Sequence, residues 1–263
     1  MRIAMKRESL SGLVHIQEEF VQSQSVSIDV GGSAMPCYLA RPDGDEKRPA
    51  VIVLQEIFGV NTEVKRIADL LASTGYVAFA INYYHRTHPD LNEPYTQEGL
   101  QNGFAAAGNV TRATLRADVS AAMDYLNAQD FVTFNHVATW GFCFGGSVAF
   151  VTATLPGLCG AVCFYGGSIA APFPSGEPEG IADAAEIRCP LLLVYGGKDS
   201  YIPAEAVART TKALTDAHKH FQLQVYPDQD HAFFRDSSDD LDSSEDVADA
   251  WDLVQAFFKG HLD

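Results

Sequence analysis

Continuous apolar runs, separated by stretches of helical period, set the outline of this chain. Residues 50–55 and 76–81 are apolar at nearly every position, the pattern of strands buried on both faces of a parallel sheet. Between them, residues 61–74 place Val64, Ile67, Ala68, Leu70 and Leu71 at helical spacing, and Gly75 supplies the stop. That is a β–α–β unit. The alternation continues with a helix over 110–129, a strand at 137–140, a helix after the glycine-rich turn at 141–146, and strands at 160–165 and 190–195. A helix at 203–217, a strand at 221–226 and a helix at 244–259 close the chain. Strands alternating with helices predict the α/β class, with one mostly parallel sheet covered on both faces. Ahead of this series, residues 25–30 and 35–40 alternate apolar and polar positions around Gly31-Gly32 and read as a hairpin.

Two stretches carry no such period. Residues 85–109, with Pro89 and Pro94, read as a loop or short-helix excursion over one end of the sheet, and residues 171–186, rich in Pro and Gly, as a long surface loop. Loops of this kind commonly border the site in an open α/β sheet. A length of 263 residues does not by itself choose between one large domain and two small ones. With no repeat and no linker, we read 25–263 as one domain and 1–24 as an N-terminal extension.

The formal net charge of −16 repels phosphate backbones and anionic lipid, which argues against nucleic acid and membrane surfaces as partners. An anionic small substrate then needs a local basic pocket. The five cysteines lack a C-x-x-C pair and lie mostly in apolar runs, as reduced thiols do, and no stretch reaches the ~20 apolar residues of a membrane span. The expected compartment is the cytoplasm. The acidic run from Asp236 to Asp246 lacks the spacing of a calcium loop and reads as a solvated loop and helix start, not a metal site.

Gly141-Phe142-Cys143-Phe144-Gly145-Gly146 is where chemistry enters. A buried strand precedes it and a helix follows, so the chain must turn sharply, and glycines two before and two after the tip let strand and helix pass closely. Cys143 then stands at a helix N-terminus, where backbone N–H groups and the helix dipole favour a thiolate and a developing oxyanion. A thiol so placed needs a base and an orienting acid. Asp199 turns off the end of the strand at 190–195, and His231 lies in the loop after the strand at 221–226. The order nucleophile, acid, histidine is that of a hydrolase triad. Asp230 is the rival acid, disfavoured because sequence neighbours seldom aim their side chains at one another.

These motifs, together with Gln55-Glu56-Ile57-Phe58-Gly59-Val60-Asn61, Gly196-Gly197-Lys198-Asp199 and His231-Ala232-Phe233-Phe234-Arg235, resemble the dienelactone hydrolase family over nearly the whole chain from about residue 25. The resemblance implies an α/β-hydrolase fold, a Cys143, His231 and Asp199 triad, and an oxyanion hole from the backbone N–H groups of Ile57 and Phe144. It also implies that Glu56 acts on the thiol when substrate binds, and that Arg86 and Arg235 contact a substrate carboxylate. The competing reading of Glu56 is a cap for the helix beginning near Asn61.

Cysteine narrows the substrate. A thiolate leaves a tetrahedral intermediate more readily than a simple alkoxide does, so attack on an alkyl ester mostly reverses. Acylation goes forward when the departing oxygen is a stabilised enolate, as in an enol lactone, or when the leaving group is itself a thiolate. An anionic enol lactone of the dienelactone type, opened to a keto-acid, is the expected substrate, and the chemistry calls for no metal or organic cofactor. A general esterase or thioesterase is the second reading, and a non-catalytic ligand-binding protein on the same scaffold is the third.

Overall fold

The computed structural model describes residues 21–236 and 244–262. Eight strands form one sheet: β1 (Val21–Val30), β2 (Ser33–Pro42), β3 (Arg48–Leu54), β4 (Val77–Ile81), β5 (Val132–Phe142), β6 (Leu158–Phe164), β7 (Leu191–Gly196) and β8 (Phe221–Tyr226). Their spatial order is β1-β2-β4-β3-β5-β6-β7-β8. The hairpin is antiparallel internally and where β2 meets β4, while every pair from β4 through β3 to β8 is parallel. Every residue of β4 and β7 is buried, as the unbroken apolar runs require.

Helices α1 (Thr62–Ser73), α2 (Gln97–Ala107), α3 (Arg112–Asn127), α4 (Phe144–Thr152), α5 (Ala204–Asp216), α6 (Phe233–Asp236) and α7 (Glu245–Leu262) fill the crossovers. On one face of β5, Trp140 stacks with Trp251 of α7 at 5.9 Å and meets Phe258 at 6.2 Å. On the other face Gly141 lies so close to α4 that a Cβ there would stand 1.9 Å from the Gly145 carbonyl oxygen. Both faces are therefore covered, and the fold is that of an α/β hydrolase.

Three boundaries differ from the sequence reading. Strand β1 begins at Val21, so residues 21–24 of the expected extension belong to the sheet; residues 1–20 lie outside the described residues, as do 237–243 of the acidic run. The excursion at 85–109 contains an eleven-residue helix, α2, capped by the Thr96 side chain on Gly99 N–H. Its buried face is Gly99, Gly103, Ala106 and Ala107, small residues that carry no apolar stripe to read. The segment at 171–186 is more than a surface loop. It buries Phe173 and Ala184, forms a 3-10 turn over Gly180–Glu186, and anchors Asp183 to Arg112 at 3.0 Å and to Arg116 at 2.5 Å.

Candidate active site

The C-terminal edge of the parallel strands carries the chemistry, because each strand delivers its next residues to that edge. Glu56 follows β3, Cys143 follows β5, Asp199 follows β7 and His231 follows β8. Cys143 is the first residue past β5, held at φ 54° and ψ −116°. Its N–H donates to the Phe164 carbonyl at 3.0 Å, and its own carbonyl accepts the Gly146 N–H at 3.0 Å. Side chains at Gly145 and Gly146 would strike the Leu54 carbonyl at 2.1 Å and the Phe164 carbonyl at 2.3 Å. Those glycines let α4 start against the ends of β3 and β6, and the left-handed turn sets the sulfur at the tip. The cysteine is half-buried.

His231 joins the thiol to the acid. Its Nδ1 lies 2.8 Å from Asp199 Oδ2, and the ring also meets Cys143 as a hydrogen-bond partner. Asp199 is buried, and its other oxygen accepts the Tyr201 N–H at 2.8 Å and the Ile202 N–H at 3.1 Å. With one oxygen pinned by backbone, the second can only face the imidazole. Asp230 is otherwise engaged, accepting the N–H of His231 itself at 2.7 Å. Burial pulls the His231 pKa down, but the hydrogen bonds from Asp199 and Cys143, with their charges, outweigh it and raise it from 6.5 to about 10. The direction of the shift favours imidazolium.

Glu56 and Arg235 approach from opposite halves of the sheet. Arg235 Nη1 lies 3.5 Å from Glu56 Oε1, and the glutamate is almost fully buried. The helix-cap reading of Glu56 is not what the structure shows. Asn61 is the N-cap of α1, its Oδ1 accepting the Val64 N–H at 3.1 Å. Ile57 follows Glu56 and is buried, and Phe144 follows Cys143 and packs edge-on against Tyr83 at 5.9 Å and against Phe173 at 6.1 Å.

Arg86 is paired with an acid of α3. Its two terminal nitrogens bind the Asp118 carboxylate at 3.0 and 2.7 Å, and Asp118 also meets His85 Nε2 at 3.2 Å, whose Nδ1 faces Ser33 Oγ at 2.9 Å. The guanidinium fork expected to hold substrate is occupied by a fully buried acid on α3. The sequence reading also missed three rings. Tyr165 and Tyr201 each place a ring 5.1 Å from His231, and Tyr95 lies beneath the Arg235 guanidinium at 4.2 Å. Tyr95 sits in an aperiodic segment and sent no signal. Among the described residues no three His, Cys, Asp or Glu side chains cluster so as to hold a metal ion.

An α/β-hydrolase scaffold with thiol, imidazole and carboxylate at the edge of its sheet is the class this geometry defines. Residues 35–262 match the model of the dienelactone hydrolase family. A Synechocystis sp. protein named "Putative carboxymethylenebutenolidase" is 32% identical over 249 residues, covering 95% of this chain and 99% of that protein. A Bradyrhizobium sp. protein named "Probable 2-oxo-3-(5-oxofuran-2-ylidene)propanoate lactonase" is 30% identical, over 93% of this chain and 96% of its own. The crystal structure of a "Putative Dienelactone Hydrolase" from Klebsiella pneumoniae superposes with a TM-score of 0.81 at 31% identity, covering 91% of this chain and 99% of that one. The chain belongs to the dienelactone hydrolase family, and it is a hydrolase.

Proposed function

We propose that the protein opens a carboxylate-bearing enol lactone through a cysteinyl acyl-enzyme. The single observation that carries this reading is His231, hydrogen-bonded to Asp199 on one side and meeting Cys143 on the other. The sulfur attacks the lactone carbonyl carbon and forms a C–S bond. The resulting oxyanion is received by the N–H groups of Ile57 and Phe144. Collapse breaks the ring C–O bond, the leaving enolate takes the proton of the His231 imidazolium, and the resulting enol tautomerises to the ketone.

Acylation also resets the base. Once sulfur is tied up as a thioester, the Cys143 interactions that raise His231 are gone and its pKa falls. Neutral imidazole can then take a proton from the water that attacks the thioester, and hydrolysis returns the free thiol and the keto-acid. Arg235 binds the substrate carboxylate, its planar fork donating to two oxygens at once. A carboxylate that takes this fork competes with Glu56 and frees it to act on the thiol.

Turnover of a panel of carboxylated lactones tests the proposal. Cys143→Ala and His231→Ala, both folded, should each lose essentially all activity, and Arg235→Ala should raise KM for anionic lactones about 10-fold or more, the loss of a charge-assisted pair. Full turnover in either triad variant refutes the mechanism. A general esterase or thioesterase is the second reading, and it predicts preference for uncharged substrates that Arg235→Ala leaves unchanged.

A further inference from the structure

Tyr95 belongs to the irregular segment between β4 and α2, yet three contacts tie it to the site. Its ring lies 4.2 Å beneath the Arg235 guanidinium carbon. The same ring packs edge-on against Phe58, two residues beyond Glu56, at 4.7 Å. Its hydroxyl lies within reach of both Asn61 and Glu56. The residue is 43% exposed, so part of it faces solvent while one face of the ring meets the guanidinium.

The surroundings explain why it stays there. The Glu93 N–H donates to the Phe58 carbonyl at 2.9 Å, Gly59 bridges to Asn92, and Gly59 sits so near Leu91 that a Cβ would stand 2.1 Å from its carbonyl oxygen. The segment that carries Tyr95 is therefore laced to the loop that carries Glu56. Arg235 comes from a short helix of one turn, α6, which offers a long side chain little support of its own. An arginine loses rotamer entropy when it is fixed, and an aromatic face beneath the guanidinium offsets that cost.

We infer that Tyr95 is a positioning residue for anionic ligands: its ring is the platform that fixes the Arg235 guanidinium beside Glu56. The inference deepens the proposed function, since it says how the cation that selects a carboxylate is aimed. The platform needs a ring, not a hydroxyl. Phenylalanine preserves it and alanine removes it.

Alkylation of Cys143 tests this without any substrate, so that failure of the lactone assignment and failure of this inference remain distinct. The rates of reaction with iodoacetate and iodoacetamide are followed at the Cys143 peptide by mass spectrometry, which separates it from the half-buried Cys159. Glutathione gives the ratio of the two rates without a protein. In the wild type that ratio should exceed the glutathione ratio in favour of iodoacetate, although the −16 exterior opposes an anion. Tyr95→Ala should lower the ratio at least fivefold and Tyr95→Phe less than twofold. Arg235→Ala should abolish the preference, and adding Tyr95→Ala to it should change nothing further. General damage to the site lowers both rates and leaves their ratio unmoved. The inference is overturned by a wild-type ratio no higher than that of glutathione, by an unchanged ratio in Tyr95→Ala, or by equal losses in the Phe and Ala variants.

Discussion

At Cys143 the backbone adopts a conformation that a side chain rarely takes, φ 54° with ψ −116°. Such strain costs on the order of 1–3 kcal/mol and persists only when the surroundings over-determine it. Here the close approaches at Gly141, Gly145 and Gly146 do so. Gly145→Ala should therefore destabilise the protein by about 2 kcal/mol or more in urea unfolding, because its methyl group would meet the Leu54 carbonyl. Asp199→Asn removes the acceptor that holds His231 Nδ1, and turnover should fall about 1,000-fold or more with the fold intact. A further consequence concerns pH. The folded pKa of His231 lies above its ordinary value, at about 10 against 6.5, so its stabilising contribution is complete below 6.5 and is lost as pH rises through about 10. Melting temperature should fall more steeply over that window in the wild type than in His231→Gln. Equal slopes would show that the imidazolium gains nothing from its partners.

Helix α2 and the segment at 171–186 show why the excursions between strands were hard to read. Periodicity detects a stripe of large apolar residues, and α2 packs through glycine and alanine instead, with Gly103 set against the Ile57 carbonyl. The segment at 171–186 is held by charge. Its Asp183 binds two arginines of α3, contacts between residues some seventy apart that no local pattern encodes. The same helix pairs with Arg86. Asp118 is fully buried and pairs with Arg86 and His85, which links α3 to the loop after β4 and, through Ser33, to the N-terminal hairpin. Breaking a buried charge pair leaves the partner uncompensated, so Asp118→Ala should cost about 3 kcal/mol in chemical unfolding. Lactone turnover by the protein that remains folded should be close to normal. A selective rise in KM for anionic substrates would instead return Arg86 to the site.

For the molecule as a whole, the proposed function has the negative exterior and the positive Arg235 act on an anionic substrate at different ranges. Charge of −16 acts over the Debye length, about 10 Å at 0.1 M salt, while the Arg235 contact is made after desolvation and is screened less. Raising ionic strength from about 10 to 150 mM should therefore increase kcat/KM for an anionic lactone and leave a neutral ester unaffected. A fall for the anionic substrate would mean that local attraction governs its approach. Among the described residues no helix is long and apolar enough to cross a membrane.

The chain by itself determined the strands, their mostly parallel arrangement and the candidate thiol, because buried strands, glycine turns and the residues at strand ends are written in local patterns. It also supplied both candidate acids and the histidine. The preference for Asp199 over Asp230 was argued from sequence, and tertiary structure sets Asp199 against the imidazole, its other oxygen held by the backbone N–H groups of Tyr201 and Ile202. Tertiary structure likewise paired Arg86 with Asp118 and set Tyr95 beneath Arg235. An arginine takes whichever carboxylate lies within reach of its fork, and what lies within reach is settled by packing between distant segments.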